Sequence, residues 1–114
     1  MCPHDLNALS AAVRTGRAQL LAPVRDAKTI HDGAKELADL LSSRPNHPLL
    51  ERKDVYYLLN QVPRLGWKKL DQMTRRRSDL DWFPSVYRPW GECAPRQREA
   101  VIRRLRDLAA RGGA

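Results

Sequence analysis

A chain of 114 residues with 42% hydrophobic residues and a mean hydropathy of −0.61 is sized for one small water-facing domain, short for an enzyme. Its 21 Lys and Arg against 13 Asp and Glu leave a formal charge of +8 and a pI near 10.2, which favours a polyanionic partner over a neutral metabolite. No apolar run approaches the ~20 residues of a membrane span. A basic, then apolar leader is also missing from the first residues, so a cytoplasmic location without membrane contact is expected. Cys2 and Cys93 lie far apart with no Cys-x-x-Cys spacing, which argues against a disulfide framework and a structural zinc. His4, His31 and His47 match no metal template, so no metal and no cofactor is expected.

Leu, Ala, Arg, Asp and Glu dominate and period-2 alternation is scarce, so the expected fold is all-α, a single domain over 1–114 with about five helices. Asp5 reads as the cap of a first helix carrying Leu6, Leu9, Val13, Leu20 and Leu21 on roughly one side and interrupted at Pro23. A second segment from Thr29 places Ile30, Ala34, Leu37, Ala38 and Leu41 on one stripe. These N-terminal helices occupy 1–43. The polar, proline-bearing stretch 42–48 then reads as the main connecting loop.

The second unit, 54–110, opens with Asp54 capping a short helix that buries Val55, Leu58, Leu59 and one of Tyr56 and Tyr57, ending near Gln61. Pro63 and Gly66 punctuate a hairpin, after which Trp67 to Arg77 resume helical character with Leu70 and Met73 inward. Residues 78–93, with Trp82, Phe83, Val86, Tyr87 and Trp90, have no helical period and read as an ordered loop whose rings cover one end of the core. Pro95 suits the first turn of a last helix with Val101, Ile102, Leu105, Leu108 and Ala109 inward and Arg96, Arg98, Arg103, Arg104 and Arg106 mostly outward.

Charge is concentrated in the second half: residues 1–50 carry a net +1 and residues 51–114 a net +7. Within that half, Val62-Pro63-Arg64-Leu65-Gly66 followed by Lys68 and Lys69 has the pattern of a helix–hairpin–helix. Val62 and Leu65 would tuck the hairpin between its helices, and Gly66 permits a backbone conformation closed to other residues. The amides that open the following helix then face outward beside Arg64, Lys68 and Lys69. Such an arrangement grips phosphate without reading bases. Trp67, beside it, either packs against sugar or lies under the turn.

Val55, Leu58, Leu59, Val62, Pro63, Arg64, Leu65, Gly66, Lys68, Lys69 and Met73, together with the Arg96-Gln97-Arg98 run and the weaker Arg17-Ala18-Gln19-Leu20, resemble the pattern of the actinobacterial integration host factor family. The resemblance covers about a quarter of the chain. Trp67 replaces a smaller side chain, and the connection from Arg77 to Pro95 is longer and more aromatic than in that family. The resemblance implies a helix-two-turns-helix, nucleoid-associated protein that binds duplex DNA with little sequence preference. Such proteins bend or bridge the duplex in support of compaction, recombination or transcriptional control, alongside an integrase or another DNA-processing protein. It further implies two DNA-binding surfaces, one from Arg64, Gly66, Trp67, Lys68 and Lys69 with Arg96 and Arg98 nearby, the other including Arg14 and Arg17.

Three other classes compete. Ribosomal proteins use the same helix-two-turns-helix on RNA, but this chain has no long basic tail. Base-excision enzymes share such hairpins, yet need a catalytic carboxylate and a base pocket. Asp79 and Asp81 read better as a cap and a solvated loop, so a non-enzyme is expected. The aromatic loop 82–90 could instead dock a protein partner.

Overall fold

The computed structural model describes residues 3–44, 46–66, 68, 70 and 84–112, and side chains from residue 11 onwards within them. The described residues form an all-α domain without strands: α1 (Pro3–Arg25), α2 (Ile30–Ser43), α3 (Pro48–Glu51), α4 (Val55–Leu59) and α5 (Pro95–Gly112). A 3-10 turn at Trp90–Glu92 precedes α5, and Gly66, Lys68 and Leu70 are helical.

Local chemistry sets most of these boundaries. The Thr29 hydroxyl accepts the Asp32 amide at 3.1 Å and caps α2, and Asp54 Oδ1 accepts the Tyr57 amide at 2.7 Å and caps α4. Pro95 opens α5, and the Gln97 side chain reaches back to accept the Ala94 amide at 2.9 Å, the returning half of a capping box.

Two boundaries differ from the sequence expectation. The first helix starts at Pro3 rather than after Asp5, and it runs through Pro23 to Arg25. A proline this close to the end removes one backbone hydrogen bond where only two further residues remain to be carried, so the helix tolerates it. Residues 42–48 are not one loop either: Ser42 and Ser43 complete α2, and Pro48 opens α3, capped by His47 Nδ1 accepting the Leu49 amide at 3.1 Å.

The core centres on α2. Its predicted stripe is buried at Ala34, Leu37, Ala38 and Leu41 and is covered chiefly by α5 through Val101, Leu105 and Leu108. The two helices run antiparallel: His31 at the start of α2 meets the Leu108 carbonyl at 2.8 Å, and Arg106 bridges Asp39 and Ser42, each at 3.1 Å. Since a carbonyl only accepts, His31 Nδ1 carries the proton there. Leu50, Val55, Leu58 and Leu59 close one side, and Trp90, fully buried, closes the end beyond α3.

Trp90 is held by its amide donating to the Lys53 carbonyl at 2.8 Å, beside an isolated bridge between Asp54 and Pro89. The expected covering of the core by the 78–93 segment is therefore met at Trp90 and, in part, at Val86. Tyr87 instead stands 76% exposed, and Trp82 and Phe83 lie outside the described residues. Gly91 allows this closure, because a Cβ there would sit 2.9 Å from the Glu51 Cβ. Cys93 is buried nearby with its thiol 3.5 Å from the Pro89 carbonyl, and burial pushes its pKa up despite Arg88 and Arg98 close by.

Among the described side chains, helix α1 meets the core through its second half. Leu21 and Val24 are buried and Leu20 partly so, whereas residues 11–15 are all exposed, including Val13, which the sequence pattern had turned inward. Further along the helix, Leu49 lies against Gly16 and accepts from Arg17 through its carbonyl.

Candidate nucleic-acid interface

The hairpin after α4 is built from alternating anchors and projections. Val62, Leu65 and Leu70 are buried, while Arg64, Gly66 and Lys68 are exposed. The reversals that achieve this are left-handed backbone conformations at Arg64 (φ 62°) and Gly66 (φ 66°). Glycine adopts that region freely, and a Cβ at Gly66 would meet nothing within 4 Å among the described residues.

Arginine in the left-handed region carries strain of about 1–2 kcal/mol. Arg64→Gly would relieve it while adding freedom to the unfolded chain. The melting temperature of Arg64→Gly should therefore stay level or rise by up to about 4 °C in a circular-dichroism melt. A clear fall would instead make the Arg64 side chain part of the turn's support.

The hairpin is seated on the first turn of α2. Gly33 faces it so closely that a Cβ would lie 2.8 Å from Pro63 Cδ and 3.1 Å from Val62 Cγ1. The Arg25 Nε–H donates to the Gln61 side chain, whose amide in turn donates to the Tyr57 carbonyl at 2.9 Å. The end of α1 is thus tied to the start of the hairpin through the exposed Arg25. Arg25 was not among the sequence candidates. Only the tertiary contact with Gln61 relates the two residues, so no local pattern could have flagged it.

The remaining candidates disperse. Trp67 and Lys69 lie outside the described residues. Arg98 is tied into the fold: its Nη1 donates to Asn46 Oδ1 at 2.9 Å, its Nη2 to the Gly91 carbonyl at 3.3 Å, and its guanidinium lies 5.5 Å from the Trp90 ring centre. Asn46 follows the far end of α2, so Arg98 and the exposed Arg96 are not beside the hairpin. Ten residues of helix, about 15 Å, separate Gly33 from Ser43. On α1, Arg14 is exposed, but Arg17 is half-buried with its Nε–H donating to the Leu49 carbonyl at 3.1 Å. The hairpin surface therefore holds together at Arg64, Gly66 and Lys68, whereas Arg17 and Arg98 fasten helices to one another.

Among the described residues, no group of His, Cys, Asp or Glu could hold a metal ion, and no helix is long and apolar enough to cross a membrane. The chain matches no protein-family model, and neither a curated protein nor a solved structure matches it.

Proposed function

We propose that this protein binds duplex DNA through its phosphate backbone, with the hairpin 62–68 as the principal contact and with little sequence preference. The observation that carries the reading is the hairpin's alternation: buried Val62 and Leu65 anchor a turn whose exposed positions are two cations and a glycine in the left-handed conformation. A turn that presents positive charge beside an exposed glycine backbone suits a sugar-phosphate chain. The charge of the whole chain, +8, points to the same class of partner.

In cellular terms we read it as a non-enzymatic, nucleoid-associated protein resembling the integration host factors of actinobacteria. It would bend or bridge DNA for compaction, recombination or transcriptional control, with an integrase or a similar DNA-processing protein as partner. Bridging would need a second surface. Arg14 on the exposed stretch of α1 is the cation available for one, Arg17 being engaged with Leu49.

The test is duplex binding followed by fluorescence anisotropy across a salt series, with structured RNA as competitor. Lys68→Ala and Arg64→Ala should weaken binding about equally on unrelated duplexes, each lowering the salt slope by roughly one unit. Unchanged slopes, or preferential displacement by RNA, would remove the reading.

A further inference from the structure

Several guanidinium groups of this chain are engaged by the fold or paired with carboxylates. Arg17 and Arg98 donate to the Leu49 and Gly91 carbonyls, and Arg103 and Arg106 pair with Glu99 and Asp39. Arg25 is held differently. It is exposed in the last turn of α1, and its Nε–H donates to a neutral side chain, that of Gln61.

The roles in this relay follow from the groups themselves. A guanidinium only donates and a carbonyl only accepts, so Gln61 Oε1 faces Arg25 and Gln61 Nε2 donates to the Tyr57 carbonyl at 2.9 Å. An amide acceptor orients the guanidinium without cancelling its charge. It also takes the inner N–H and leaves the two Nη groups, the paired edge that fits two oxygens of a phosphate. Among the described residues neither Nη group has a partner, and the exposed Asp26 next to Arg25 forms no ion pair with it.

The relay ends at the hairpin. Gln61 directly precedes the buried anchor Val62, and Gly33 of α2 packs on Val62 and Pro63 with the Val24 carbonyl of α1 beside it. Three residues separate Gln61 from Arg64, which puts their α-carbons at most about 11 Å apart. A duplex strand carries a phosphate for about every 3.4 Å of helix axis, so a strand held at Arg64 offers further phosphates over that span.

We propose that Arg25 is a phosphate contact for duplex DNA contributed by α1, and that Gln61 is the residue that positions it. The inference rests on the reading of the hairpin as a duplex grip and widens that grip to a second element. An arginine fixed through Nε by an uncharged partner is pre-organised for an anion, because little side-chain freedom remains to be lost on binding.

The full chain is titrated against a blunt fluorescent duplex by anisotropy across a salt series, with circular-dichroism melts of every variant. Arg25→Ala should weaken binding about five-fold near ~0.1 M salt and lower the salt slope by roughly one unit. Arg25→Lys keeps the charge and loses the fork, so the slope should hold while affinity falls about two- to three-fold. Gln61→Met should do the same, and should have no further effect in the Arg25→Ala background.

An Arg25→Ala protein with the parent's salt slope would overturn the inference, as would a Gln61→Met effect that persists without Arg25. A lower melting temperature with an unchanged slope would make the pair a tie between α1 and the hairpin and nothing more. Lys68→Ala serves as the control for the hairpin. If it lowers the slope and Arg25→Ala does not, the hairpin reading stands and this one falls; the converse upholds Arg25 and removes the hairpin as the principal contact. A parent chain that does not bind duplex removes both.

Discussion

Trp90→Ala should lower the melting temperature by roughly 12–20 °C, the largest loss expected from any single truncation in this domain. Removing a fully buried tryptophan costs about 3–5 kcal/mol, and a domain of this size loses about 4 °C per kcal/mol. The site has little means of collapsing onto the cavity. Its floor is the 3-10 turn Trp90–Glu92, Gly91 is already pressed against Glu51, and Arg98 lies over the indole while bonded to Asn46 and to the Gly91 carbonyl.

Against a total stability of about 5–15 kcal/mol, such a loss removes from about a fifth to all of it. Trp90→Phe retains a ring beneath Arg98 and should recover about half of it. Thermal melts of the two variants side by side are the measurement, and a Trp90→Ala protein melting within about 4 °C of the parent would show that the end of the core is loosely closed.

Gly33→Val should cost about 2–3 kcal/mol and weaken duplex binding at the same time. A Cβ at this position would come within 2.8 Å of Pro63 Cδ, 3.1 Å of Val62 Cγ1 and 3.5 Å of the Val24 carbonyl oxygen, and valine adds two methyl groups to it. Either α2 or the hairpin has to move. The hairpin is the smaller body, so the Arg64 and Lys68 presentation should be disturbed before the helix pairing is. Gly33→Ala makes a useful companion: alanine gains about 1 kcal/mol of helix propensity, which offsets part of the clash. Its melting temperature should therefore fall little while its duplex affinity still drops. Equal melting and equal binding in parent and Gly33→Val would mean that the hairpin is not seated on α2.

The elements legible in the sequence were those whose determinants are local. Asp54 as a cap, the start of a helical segment near Thr29, the stripe of α2, the buried Val55, Leu58 and Leu59 and the Pro95 start of α5 are short-range signals. The hairpin's alternation of apolar and basic residues likewise placed Val62 and Leu65 inside and Arg64 and Lys68 outside.

What was not legible depends on partners distant in sequence. Helix α3 is a single turn between two loops, marked only by His47-Pro48. Val13 shares its apolar stripe with Leu20 and Leu21 yet stands exposed. Arg17 and Arg98 look like any other surface cation until Leu49, Asn46 and Trp90 are brought up to them. For a basic protein this is the sharper lesson: the composition identifies an excess of positive charge but not which guanidinium groups are already engaged in holding helices together.

The antiparallel pairing of α2 with α5 also bears on how the chain is made. His31 and the Leu108 carbonyl it meets are 77 residues apart. At synthesis rates of about 5–20 residues per second, the first helix of the pair waits some 4–15 s for the second to be polymerised. Throughout that interval Leu37, Ala38 and Leu41 lack the cover that α5 provides. Between the synthesis of α2 and that of α5 the nascent chain therefore carries an uncovered apolar stripe, the kind of surface through which incomplete chains aggregate when a protein is overproduced.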